Sequence, residues 1–103
     1  MGQIVTLRQE KALSWNDHLA VFALTIKAQG KAPRTIKDYL YHVGRFFTRF
    51  PDALDSPEKG KLAVLSFLAD EGISPTEFNH RRVYVGQFFQ WLIGEGHVAR
   101  NPF

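Results

Sequence analysis

Four histidines, His18, His42, His80 and His97, are the side chains of this sequence best suited to metal binding or proton transfer. No two stand four apart on one helix pattern, so a helical two-histidine metal site is not expected. There is no cysteine, which removes thiolate ligands, thiol nucleophiles and disulfides together. Ser14, Asp17 and His18 in "SWNDH" supply the residue types of a hydrolytic triad. A triad, however, gathers its members from separate elements, whereas a Ser followed three residues on by Asp is how a helix begins. Gly94 and Gly96 give G-x-G after a helix pattern rather than between strand and helix, the wrong context for a phosphate loop. Asp70 and Glu71 precede a stop glycine and are expected to be solvated. No catalytic residue, metal or cofactor is expected.

The basic residues carry more information. The formal charge is +3 and the pI about 9.5. Lys31, Arg34, Lys37, Arg45 and Arg49 fall in one segment opposed only by Asp38, and Arg81 and Arg82 form a second cluster. The acids gather elsewhere, at Asp52, Asp55, Glu58, Asp70 and Glu71. Such segregation predicts a basic face and an acidic partner. No apolar run is long enough for a membrane span, and "MGQIVTLRQEK" lacks the apolar stretch of a signal peptide. With 103 residues, 45% of them hydrophobic, the chain has the means for one core and one domain.

The elements that must position these residues read as four helices. The first starts at Ser14 as N-cap, carries Trp15, Leu19, Phe22, Ala23 and Ile26 inward, and stops at Gly30. The second starts near Pro33. Its residues Ile36, Tyr39, Leu40, Val43, Phe46, Phe47 and Phe50 recur at i, i+3, i+4 spacing, and Pro51 ends it. The third has Ser56 as N-cap and Pro57 next, with Leu62, Leu65, Leu68 and Ala69 as its apolar side and Gly72 as its stop. The fourth opens with "SPTE", in which Ser74, Pro75 and Glu77 make a capping box. Phe78, Val85, Phe88, Phe89 and Leu92 then line one face, up to Gly94 and Gly96. Short connections predict two helical hairpins, helices one with two and three with four. Residues 14–96 form the domain, 1–13 a flexible lead and 97–103 the start of a linker.

Opposite the apolar stripes lie two polar faces. Helix two presents Arg34, Lys37, Asp38, Tyr41, Arg45 and Thr48. Helix four presents Asn79, His80, Val83, Gln87 and Gln90, with Arg81 at the edge. Arg and Lys suit phosphates or guanine, and Asn and Gln suit adenine. Both faces begin at a proline-marked helix start, where backbone N–H groups favour anions.

"APRTIKDYLYHVGRFF" resembles the second helix of the core-binding domain of tyrosine recombinases, the phage integrase family. The residues that carry the likeness are Thr35, Tyr39, Val43 and Phe46. "ISPTEFNHRRVYVGQFFQWLIGEGHVARNPF" is similar to that domain's last helix and exit, through Ser74, Pro75, Phe88, Phe89, Trp91, Leu92, Gly96, Asn101 and Pro102. The resemblance covers about residues 14–103. It implies an all-α, four-helix SAM-like bundle with helices two and four in the major groove of double-stranded DNA. It also implies half of a clamp in DNA recombination or integration, completed by a C-terminal catalytic domain beyond this chain and by neighbouring protomers. The setting implied is the cytoplasm, with a bacterial or phage-encoded protein associated with DNA. The DNA-binding residues expected are Lys31, Arg34, Thr35, Lys37, Tyr41 and Arg45 from helix two, and Thr76, Asn79, His80, Arg81 and Gln87 from helix four. The sequence departs from the family pattern at Ala32, Gly44, Gly86 and Arg82, the last standing where a leucine is expected. The alternative is a SAM-like protein–protein interaction module, which would present an apolar patch, with Trp15, Tyr84 and Trp91 as its candidates.

One repeat completes the sequence. Val-Gly-x-Phe-Phe occurs at Val43–Phe47 and again at Val85–Phe89, placing Gly44 and Gly86 inside helices. A mid-helix glycine costs roughly 1 kcal/mol relative to alanine. Close approach of another helix or of DNA is the expected return.

Overall fold

The computed structural model describes residues 13–98 and 102–103. Their regular structure is entirely helical: α1 (Trp15–Ala28), α2 (Pro33–Arg49), α3 (Pro57–Leu68) and α4 (Pro75–His80), which continues through a π turn (Arg81–Val85) into α5 (Gly86–Gly94). The last three stretches form one rod, so the expected four helices are present. The lead expected at 1–13 lies outside the described residues except for Leu13. Residues 99–101 of the expected linker, Asn101 among them, also lie outside.

Local chemistry sets the helix ends. The Ser14 hydroxyl accepts from Asp17 N–H, and the Asp17 carboxylate accepts from Ser14 N–H, a reciprocal capping box. Ser56 and Ser74 cap α3 and α4 by accepting from Lys59 N–H and Glu77 N–H. The box expected at Ser74 forms only by half, because the Glu77 carboxylate is taken by Arg81 Nε at 2.8 Å. At the C-terminus of α1, Lys31 N–H reaches Ile26 C=O and Gly30 N–H reaches Lys27 C=O, a Schellman ending that needs the positive φ of 87° at Gly30. The same pattern at His97 and Gly96 ends α5, so Gly96 is the stop and Gly94 the last helical residue.

The core is built on the repeated motif. Val43, Phe46, Phe47, Val85, Phe88 and Phe89 are all essentially inaccessible. Phe46 and Phe47 meet Phe89 at 5.9 Å between centroids, and Phe47 meets Phe88 at 5.8 Å. Aromatic pairs at these separations add roughly 0.5–1.5 kcal/mol each beyond the area they bury. Leu19, Phe22 and Ile26 close the core from α1, and Ala63, Val64 and Phe67 close it from α3.

The structure corrects several expected faces. On α3 the buried residues are Gly60, Ala63, Val64 and Phe67, while Leu62 and Leu65 are 65% and 53% exposed. The inner face is therefore roughly opposite the leucine pattern. Gly60 fits this face: a Cβ there would lie 3.0 Å from the Ala53 carbonyl oxygen, a crowded contact that glycine avoids where the helix approaches the preceding turn. On α2, Leu40 is exposed, and His42 is buried instead. On the fourth rod, Phe78 is exposed and Arg81 is buried. The hairpins are also unequal. α1 packs closely on α2, and the fourth rod packs mainly on α2 through its π turn and only lightly on α3.

Candidate nucleic-acid interface

Arg34, Lys37, Tyr41 and Arg45 recur at i, i+3, i+4 spacing along α2, and all four are exposed. The Arg45 guanidinium lies 3.4 Å from the Tyr41 hydroxyl and 5.5 Å from the Tyr41 ring centroid. Lys31 is exposed just before the helix, and Thr35 is half-buried. On the fourth rod Thr76, Asn79 and Gln87 are exposed, and His80 is half-buried.

The crossing of α2 and the fourth rod brings part of this set together. Arg45 lies 3.5 Å from the Glu77 carboxylate, which joins the middle of α2 to the first turn of α4. His80 approaches His42 at 5.3 Å between ring centroids and Tyr84 at 5.9 Å. His42 in turn stacks on Tyr84 at 4.9 Å. The two proline-marked starts do not converge, however. Since α4 begins beside Arg45, Pro33 lies twelve residues back along α2, roughly 18 Å at 1.5 Å per residue. The two helix starts cannot hold one phosphate.

Arg81 is corrected outright. It is only 4% exposed and serves the core edge instead of solvent. Its Nε donates to Glu77 at 2.8 Å, and its Nη1 donates to Asp70 at 2.7 Å and to the Phe67 carbonyl at 2.6 Å. Its guanidinium carbon lies 4.2 Å from the Phe67 ring centroid. Arg81 and Val85 stand four apart and share the inward face, as an i, i+4 pair does, while Arg82 points out and donates to Asn79 Oδ1 at 2.8 Å.

Asp70 is corrected with it. Only partly exposed, it is ion-paired: it accepts from Arg81 and, through Oδ1, from Arg49 Nη2 at 2.7 Å. The charges form a chain of alternating sign: Arg49, Asp70, Arg81, Glu77, Arg45. The hydrogen bond from Arg49, then that from Arg81, holds the Asp70 carboxyl far below the ordinary carboxylate range. The hydrogen bond from Arg81 lowers Glu77 as well. Three cations share two anions, and the Arg45 contact is the longest of the network, so the surplus charge resides at Arg45 on the surface.

The histidines form two ring contacts, His18 with His97 and His42 with His80. Among the described residues no group of three or more His, Asp or Glu side chains could hold a metal ion. His42 has an Nδ1 with no hydrogen-bond partner, and burial lowers its pKa. His18 is buried against His97 at 4.3 Å, and burial followed by that neighbour lowers its pKa too. Ser14 and Asp17 cap a helix and make no triad with it.

Part of this was readable in advance. Glu77 and Arg81 are an i, i+4 acid–base pair, a pattern that marks Arg81 as engaged. The Asp70 partner, eleven residues away across a turn, carries no such signal. Compared with known proteins, the chain matches no protein family, no curated protein and no solved structure.

Proposed function

We propose that this chain is a DNA-binding domain of the tyrosine recombinase type, a SAM-like core-binding bundle that forms half of a clamp on double-stranded DNA. The observation that carries the proposal is the exposed basic stripe Arg34–Lys37–Tyr41–Arg45 on α2, continued by Thr76, Asn79 and His80 at the start of the fourth rod through the Arg45–Glu77 contact. Lys31, Arg34, Lys37 and Arg45 serve phosphates, and Asn79, His80 and Gln87 serve base edges. Arg81 positions the fourth rod and touches no DNA. Strand cleavage belongs to a catalytic domain elsewhere in the parent protein, and neighbouring protomers complete the assembly.

The adaptor reading has less support. Trp15 stacks on Phe47, and Trp91 packs against Phe22 and Phe88. Tyr84 sits between Tyr39 and His42. The three residues expected to form its apolar patch are thus half-buried in contacts within the chain.

The test is a salt titration of binding to mixed-sequence duplex DNA. The wild-type chain is expected to bind with log K falling linearly against log salt. Arg34→Ala with Lys37→Ala should weaken binding to all sequences alike and reduce the slope by about two, one for each phosphate no longer neutralised. An unchanged affinity and slope in the double variant would remove the stripe from the interface.

A further inference from the structure

We infer that Gly44 forms the floor of a seat for one DNA backbone phosphate, held by Tyr41, Arg45 and Thr48. The inference rests on the DNA-binding reading above. Gly44 interrupts the best-patterned helix of the chain, and a Cβ built there would meet nothing within 4 Å. Its absence therefore relieves no crowding inside the molecule. A helix-interior glycine nonetheless forfeits roughly a five-fold bias toward the folded state.

The equivalent glycine of the second Val-Gly-x-Phe-Phe run behaves differently. A Cβ at Gly86 would lie 3.6 Å from the Phe103 ring, so the chain's own aromatic covers that position. Phe103 also packs near Phe89, 6.1 Å between centroids. The surroundings differ as well. Gly86 faces the Phe103 ring, whereas Gly44 lies in a shallow depression lined by Leu40 and Phe67 together with Tyr41, Arg45, Thr48 and Arg49. The hydroxyls and guanidinium at the rim of this largely apolar hollow can receive an oxyanion, and the missing side chain at Gly44 lets a bulky phosphodiester come close. Of the two arginines, Arg49 is engaged by both oxygens of Asp70, while Arg45 makes only longer contacts, 3.5 Å to Glu77 and 3.4 Å to the Tyr41 hydroxyl. Arg45 is therefore the cation that can turn to the phosphate. Tyr41, Gly44, Arg45 and Thr48 follow i, i+3, i+4, i+7, so the seat lies within the basic stripe and not beside it.

The test compares Gly44→Leu with wild type and with Arg34→Ala/Lys37→Ala, using fluorescence anisotropy on a mixed-sequence duplex over a range of potassium chloride. Gly44→Leu is expected to raise the thermal midpoint by about 4 °C, because leucine is the better helix former and the space is open. It is also expected to weaken DNA binding by about ten-fold. Gly44→Ala should raise the midpoint likewise and weaken binding less. A leucine variant that binds as tightly as wild type, while the double alanine variant is weakened, overturns the seat and leaves the DNA-binding reading intact. Wild-type chain with no salt-dependent binding overturns both. A fall in the midpoint would show Gly44 to be packed within the chain, which also overturns the seat. Sedimentation that shows wild-type self-association, abolished by Gly44→Leu with DNA affinity unchanged, would assign the hollow to a second copy of the chain and so overturn the seat.

Discussion

A buried arginine is held in place only while its partners are there. Arg81 has two carboxylates, one carbonyl and one aromatic face around it, and it gives the fourth rod its orientation. Truncating it leaves Asp70 to Arg49 alone, strips Glu77 of its shortest ion pair and opens a gap above Phe67. Arg81→Ala is therefore expected to destabilise the fold by roughly 3 kcal/mol, the low end for breaking a buried ion pair because the two acids keep some contact with water. Urea denaturation followed by circular dichroism measures this. A loss below about 1 kcal/mol would place Arg81 among ordinary surface arginines. The same residue shows how a basic cluster misleads: Arg81 and Arg82 are adjacent in sequence, yet one is core and the other solvent, since neighbours on a helix point about 100° apart.

Elements obey their caps closely and their apolar stripes less so. α3 has four leucine or alanine positions at helical spacing, but its packing uses the roughly opposite face, Gly60, Ala63, Val64 and Phe67. Gly60 and Ala63 let α3 lie close to the core, with Gly60 against the Ala53 carbonyl. Replacing Leu62 and Leu65 together by glutamine should thus change stability by less than about 0.5 kcal/mol per site. If the leucines were core residues, the pair would cost at least about 4 kcal/mol. A chemical denaturation midpoint separates the two outcomes readily, and DNA binding should be unaffected.

Taken over the whole molecule, the ionisable groups make stability depend on pH in two steps. His42 and His18 have pKa values lowered by burial, so the unfolded chain takes up those protons first. Their contribution is complete above about pH 6.5 and is lost as the pH falls through the lowered values. Asp70 and Glu77 are lowered as well, and their contribution is complete above about pH 5 and lost only in stronger acid. The thermal midpoint should therefore decline between about pH 7 and pH 5, and decline again below about pH 4. His42→Phe should flatten much of the first step. A midpoint constant down to about pH 5 would show that the histidines are as solvated in the fold as out of it. The acid network also restrains the interface, since two carboxylates partly neutralise the three arginines nearest the helix crossing.

Helix number, boundaries and the aromatic core follow from local rules. Capping serines, prolines at first turns, the Schellman glycines Gly30 and Gly96 and the two Phe-Phe pairs act within a few residues of themselves, so the linear order contains them. The exposed basic stripe of α2 is legible for the same reason, as its members are one helical turn apart. Which face of α3 turns inward, the burial of Arg81 and His42, and the bridging by Asp70 depend on residues far along the chain meeting across a crossing. Only the tertiary structure decides these, because desolvation and ion pairing are set by the neighbours a side chain acquires in space. The two glycines divide along this line. Both read alike in sequence, and the fold alone covers Gly86 with Phe103 and leaves Gly44 open to the surroundings.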